Sequence, residues 1–406
     1  MKRISPFVEN RRCVGVKRCG YWLMAASILL LAVACDQTDI NSAKDVEPVS
    51  SYENSELAYE ANHPLILSDS KIYRKWDYSG KSSAFKKSDE VTFASPLFGL
   101  TTSPNGDIFV ADAGFGVVST TGGTEIMLPG VTDMSPLGQS SMWALEGLSG
   151  APEEDTGQGL YRLSKGQTRL IVDLYDFEAE NNPDGGAIDS NPFDVQSLGG
   201  QSALVADPGA NALLKVSNQG HVKVLAVFPN ELVSTENIKN LEECPSESPL
   251  CGLPPNIPAQ PVPTSVAIGP DGYYYVGELK GFPAPTGASN IWRVSPDASE
   301  AVCGSSPDCV KVFDGGFTSI IDLAFDENGI LHVAELDELS WFAVEVLGPG
   351  AIAGGTINAC DLSSLNCSEV ATGIPILTAI TFGKDGVLWA TQNALIPGAA
   401  EVIAIE

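Results

Sequence analysis

The sequence predicts an all-β fold, a six-bladed β-propeller whose last blade is closed by a strand from the N-terminal side. Two observations carry this. A strand-turn-strand unit returns along the chain, clearest at Gly269-Pro270-Asp271-Gly272 before Tyr273-Tyr274-Tyr275-Val276-Gly277-Glu278. Related copies are Ser103-Pro104-Asn105-Gly106 before Ile108, Glu327-Asn328-Gly329 before Leu331, and Lys384-Asp385-Gly386 before Leu388. The turn glycines 272, 329 and 386 are evenly spaced by 57 residues. Repeats of about 40 to 55 residues with four short strands each are the mark of a propeller.

From the N-terminus, Lys2, Arg3, Arg11, Arg12, Lys17 and Arg18 precede an apolar run from Tyr21 to Ala34. The run is shorter than a membrane span of about 20 residues and ends in small side chains, as an export signal does. Leu31-Ala32-Val33-Ala34-Cys35 resembles a bacterial lipoprotein signal, with Cys35 as the acylated residue. Residues 1–34 are therefore expected to be a signal peptide, 35–85 a polar flexible tether and 86–406 the propeller.

Cysteine usage tests export independently. Beyond Cys13, Cys19 and Cys35, six of the nine cysteines fall into the local couples Cys244 with Cys251, Cys303 with Cys309, and Cys360 with Cys367. Close pairs with none left over indicate disulfides in an oxidising compartment. Zinc is the competing reading, but no couple is CxxC and His63, His221 and His332 lie far from each pair. The expected location is the cell envelope, on the periplasmic or cell-surface side, with membrane contact through the lipid anchor only.

The formal net charge is −28, and residues 1–34 hold six basic residues and one acidic, so the remainder is more acidic still. Such a surface repels nucleic acid and anionic lipid. It is consistent with solubility in a saline exterior or with cation binding.

Alternating apolar runs and turn residues divide the rest into six units, at about 97–131, 132–175, 191–229, 263–316, 317–373 and 374–406. In the fourth, the strands are 264–268, 273–277, 290–294 and 310–313. The sixth has three strands, a deficit made good if 91–93 supplies its outer strand and leaves no open edge. Strand direction then places the long insertions 176–190, 230–262, 279–289 and 337–353 on the face opposite the Asp-Gly turns, where binding or catalysis usually sits.

Five units end their second strand in a carboxylate, Asp112, Glu146, Asp207, Glu278 and Glu335, and the sixth has Thr391-Gln392. A ring of acids suits a hard cation, Ca2+ or another divalent ion. Acids that each bind their own blade's backbone would give the same repetition. Asp322 lies within an innermost strand, where a charge must be paired, hydrogen-bonded or facing a wet channel; Thr264 and Ser265 occupy the matching stretch of the fourth unit. The segment from Asn181 to Pro192 is the densest polar cluster, either an Asx-rich turn or a ligand contact. The candidate ligand contacts are therefore Asn182, Asp184, Asp189, Asn191, Thr264, Glu278, Thr318, Asp322 and Glu335, with Asp184, Glu278 and Asp322 as candidate metal ligands. Phe282, Trp341 and Phe342 lie in the insertions, for an apolar ligand or for packing on the propeller. No GxSxG, P-loop, HExxH or dinucleotide fingerprint occurs, and no histidine lies beside a nucleophile.

The stretches Asn181 to Pro192, Leu225 to Pro229, Pro263 to Gly272, Gly281-Phe282-Pro283 and Phe317 to Phe325 resemble the ScyD/ScyE family over about residues 95–406. The resemblance implies an exported six-bladed propeller related to NHL-type repeats, some members being associated with scytonemin biosynthesis. It brings no catalytic residues. A fainter likeness to gluconolactonase-like propellers implies a divalent cation held by Glu, Asn and Asp. The expected role is binding of a small molecule, glycan or envelope protein on the loop-rich face, with a cation-dependent hydrolase or lyase at the channel mouth as the alternative.

Overall fold

A computed structural model describes residues 92–120, 125–138, 140–149, 157–348 and 350–405. The signal, the tether and Cys35 lie outside the described residues. No helix among those described is long and apolar enough to cross a membrane.

Six antiparallel four-stranded sheets follow one another, with innermost strands Leu97–Thr102, Val131–Pro136, Asp194–Ser197, Pro263–Ile268, Ile320–Phe325 and Ile380–Phe382. The second strands are the most apolar and the most enclosed. Ile108–Asp112, Tyr274–Glu278 and Leu331–Glu335 are buried at every position, because each is flanked within its sheet and sandwiched between neighbouring blades. Trp143 of the second blade and Trp292 of the fourth fill such inter-blade space. The Asp-Gly turns use left-handed glycines, Gly272, Gly329 and Gly386 having φ near +80°, where an L side chain would be strained.

Closure is as the sequence predicts. Thr92–Phe93 pairs with the last strand, Ala400–Ile405, with Phe93 opposite Ala400, and Phe93 is buried against Leu97, Ala379 and Ala394. The three disulfides form in the expected couples.

Two features were not legible. Ala301–Val302, ahead of the Cys303–Cys309 loop of blade four, leaves its own sheet and adds a parallel fifth strand to blade three, beside Val222–Val227. It covers an outer edge that would otherwise offer unpaired backbone groups. The fourth strand of blade four also runs longer than the apolar run that marks it, Cys309–Phe317.

The insertions carry helix α1 (Leu174–Asn181), helix α2 (Glu236–Leu241) and a hairpin of Glu231–Ser234 with Asn256–Ala259. Three of them are tied by one side chain. Asn237 Nδ2 donates to the Ala284 carbonyl at 2.7 Å, the Leu339 carbonyl at 3.2 Å and Ser340 Oγ at 3.1 Å.

Candidate functional site

The innermost strand of each blade turns its free edge to the central axis, so its backbone groups need partners from water or a neighbouring blade. Aspartates meet much of this need. Asp133 Oδ2 of blade two accepts the Val195 N–H of blade three at 3.0 Å. Asp194 Oδ2 accepts the Val266 N–H of blade four at 2.6 Å. Asp322 Oδ2 accepts the Ile380 N–H of blade six at 2.7 Å, and its Oδ1 accepts the Leu323 N–H at 2.7 Å. In blade four, Thr264 Oγ1 donates instead to the Ile320 carbonyl at 2.7 Å.

The three aspartates occupy one register. Each pairs with the residue just before its blade's terminal acid: Asp133 with Leu145, Asp194 with Ala206, Asp322 with Ala334. They face a cavity of about 310 Å³ on the axis, which is also lined by Thr101, Thr102, Ser135, Gln196, Thr264 and Thr381. Blade one contributes Gly99 here, and a Cβ at that position would lie 2.1 Å from Asp133 Oδ1.

Burial and the neighbouring charges of Asp194 and Asp322 push the Asp133 carboxyl well up from its ordinary value. Burial and Asp194 do the same for Asp322, and burial carries Asp194 up to about 6. Asp133 and Asp194 lie within hydrogen-bond reach of each other, an arrangement that requires a proton between two carboxyls.

A sign for stability follows. Between the ordinary carboxylate value of 3.8 and about 6, the folded chain holds protons at these sites that the unfolded chain has lost. Their contribution therefore falls as pH rises through that window, and burial of Glu335, which carries it up to about 7, extends the trend. Glu231 acts oppositely: despite partial burial, Lys280 and Lys311 hold it down to about 2, so its stabilisation is lost in strong acid. The melting temperature is expected to decline from pH 5 to pH 7 and to decline less in Asp133→Asn; a rise over that range in the wild type contradicts the assignment.

The two ends of the channel differ in enclosure. At one end Phe98, Phe193 and Ile321 are buried in one apolar cluster with Ile238, Leu279, Ala284, Trp341 and Phe342 of the insertions. Towards the turns, Thr102, Gln196, Phe325 and Phe382 are half-buried. The insertions thus share buried apolar packing with the insertion-side ends of the innermost strands. Trp341 and Phe342 belong to that cluster, and Trp341 Nε1 donates to the Lys280 carbonyl at 2.9 Å.

The sequence-predicted residues divide into three groups. Asp322 and Thr264 line the channel. Glu278, Glu335 and Thr318 are held within blades four and five. Glu278 is fully enclosed, its Oε2 2.7 Å from Lys280 Nζ and 2.7 Å from Asn290 Nδ2, its Oε1 2.6 Å from Trp292 Nε1. Glu335 accepts from the Thr318 N–H and from Asn358 Nδ2, and Thr318 Oγ1 accepts from the Gly287 N–H at 2.9 Å. The repeated acid is thus a fastener of its own blade. Asp112 accepts from the Gly114 and Phe115 N–H groups, and Asp207 from those of Gly209 and Ala210 as well as Asn191. In blade six Thr391 Oγ1 takes that place, accepting from the Thr378 and Ala379 N–H groups.

Asn182, Asp184, Asp189 and Asn191 form the third group, beside blade three. Asp184 accepts from the Gly186 N–H and from Asn211 Nδ2. Asp184, Glu278 and Asp322 are not brought together as a metal centre: they belong to separate groups, and Glu278 is already taken by Lys280, Asn290 and Trp292. Among the described residues no three His, Cys, Asp or Glu side chains are gathered for a metal.

Sequence reasoning missed Asp133, within Val131–Pro136, and Asp194, at the start of Asp194–Ser197. Aligning the blades on their terminal acids places both in register with Asp322.

No family model matches the chain, and no curated protein does. Among solved structures it is similar to six-bladed propellers. One is a catalytically inactive virginiamycin B lyase from Staphylococcus aureus with quinupristin, 14% identical over 78% of this chain and 88% of that one, TM-score 0.44. Another is the soluble aldose sugar dehydrogenase of Escherichia coli in the apo-form, 14% identical over 78% and 98%, TM-score 0.45. These are likenesses of fold.

Proposed function

We propose that this is an exported binding propeller of the ScyD/ScyE type, tethered through Cys35 in the cell envelope, that takes a small polyhydroxylated molecule into its central channel. The supporting observation is the cavity of about 310 Å³ with three carboxyl groups in one register and hydroxyl and amide groups around them. That volume is at the small end of ligand pockets, roughly 300 to 1,000 Å³, and suits one sugar or polyol. Carboxyl groups accept from hydroxyls and, when protonated, donate to them, which suits a neutral polyol. The three disulfides fit an extracytoplasmic compartment. A melting-temperature screen of sugars, polyols, phosphates and carboxylates tests this reading: neutral polyols are expected to stabilise the protein, and stabilisation by anions alone counts against it.

A second reading is a hydrolase or lyase. The observation favouring it is the side-by-side placing of Asp133 and Asp194, two carboxyls that burial pushes up from the ordinary value, as acid–base chemistry often uses. Turnover of lactones, esters or glycosides, abolished in Asp133→Asn, would establish it; a cation-dependent form would also respond to chelator.

A further inference from the structure

The insertion joining blades two and three holds more buried acceptor oxygen than the protein has donors for. Helix α1 presents Glu178 inward at 1% exposure, and neither Oε1 nor Oε2 has a hydrogen-bond partner. Asn182 caps the helix in a left-handed conformation, φ 39°, with its N–H on the Glu178 carbonyl. Its side chain donates through Nδ2 to the Gly186 carbonyl at 3.1 Å, while the amide oxygen is buried without a donor. Asn191, at 1% exposure, likewise has an orphaned Oδ1, beside Gly147 on the neighbouring blade. Its own N–H is fixed on Asp207 Oδ1 at 2.8 Å.

All these groups are oxygens, and the charge around them has one sign. Burial, followed by the charges of Asp207, Asp184 and Asp189, pushes the Glu178 carboxyl up to about 9, and no basic side chain is among the groups acting on it. A buried carboxylate without a donor costs several kcal/mol unless something positive arrives. A hydrogen-bond donor would serve one oxygen; a cation serves several at once.

We propose that Glu178, Asn182 and Asn191 are ligands of a Ca2+ site between blades two and three, with Asp184 and Asp189 supplying further negative charge. Oxygen-only donors, carboxylate mixed with carboxamide, are what Ca2+ accepts, whereas Mg2+ demands a tighter octahedron and keeps more of its water. The site lies on the insertion side and fastens α1 and the 182–191 loop to blade three. It is distinct from the channel, whose acids already hold backbone N–H groups.

The test is Ca2+ itself, titrated calorimetrically into the full protein after chelation, with melting curves in parallel. One Ca2+ per chain is expected, with the melting temperature raised by roughly 4 °C at a hundredfold excess over Kd. Glu178→Gln keeps the shape and removes the charge; it is expected to weaken binding about 10- to 100-fold or more, since even outer-shell partners of metal sites count for that much. Glu180→Gln, exposed on the same helix, is expected to bind like the wild type. Should Glu178→Gln fail to fold, Asn182→Gly, which suits the left-handed backbone and removes the amide oxygen, is expected to weaken binding in the same direction. A chelated wild type that takes up no Ca2+, or a Glu178→Gln protein that binds with unchanged affinity, overturns the site.

Discussion

Lys280→Met is expected to destabilise the protein by about 3 to 5 kcal/mol, the usual cost of leaving a buried charge without its partner. Lys280 and Glu278 both have 0% side-chain exposure, and the ammonium lies 2.7 Å from Glu278 Oε2 and 2.7 Å from Glu231 Oε2. Methionine fills nearly the same volume, so the loss is electrostatic rather than a cavity. Glu278 keeps Asn290 and Trp292, but two hydrogen bonds do not neutralise a carboxylate, and burial already raises its pKa. Pairing the change with Glu278→Gln removes the orphaned charge and is expected to recover part of the loss. Urea midpoints measure both, and a single variant as stable as the wild type contradicts this account of the repeated acid.

Deleting the last strand, residues 400–406, is expected to abolish the cooperative unfolding transition. Five residues of Leu388–Gln392 are in register with Val402, Ile403, Ala404, Ile405 and Glu401. At about 1 kcal/mol per hydrogen bond, the ladder alone is worth about 5 kcal/mol, which is comparable to the whole stability of many domains. The same strand is the partner of Thr92–Phe93. Its removal therefore exposes two edges and unseats Phe93, the join that converts six sheets into a ring. Calorimetry of the truncated chain measures this; a melting temperature within a few degrees of the wild type would show that the ring does not depend on its closure.

The fold was legible because its information is local. Asp-Gly turns, apolar strands and 57-residue spacing survive without any knowledge of contacts, and the missing outer strand of blade six pointed to Phe93. The site was only partly legible. Asp322 stood out because it interrupts Ile320-Ile321 and Leu323-Ala324-Phe325, while Asp133 lies in the less apolar strand Val131–Pro136 and Asp194 begins the short strand Asp194–Ser197. Glu178 was invisible for another reason: the run Leu174–Asn181 is polar enough to read as a solvated loop, and only tertiary packing turns that glutamate inward. The packing of the insertions was not legible either. Their length suggested a binding rim, and Ile238, Trp341 and Phe342 also bury part of them in one apolar cluster with Phe98, Phe193 and Ile321.

The claim that the channel is the binding site is tested most directly by titrating the best-stabilising polyol into wild type, Asp322→Asn and Asp184→Asn in a calorimeter. Asparagine at 322 keeps one oxygen to accept the Ile380 N–H, so the blades stay stapled while the channel loses a carboxyl group. Asp322→Asn is expected to weaken binding by about 5- to 10-fold, the worth of one neutral hydrogen bond, with Asp184→Asn unchanged. Undiminished affinity in Asp322→Asn, with loss in Asp184→Asn, would move the ligand out of the channel and onto the insertion face.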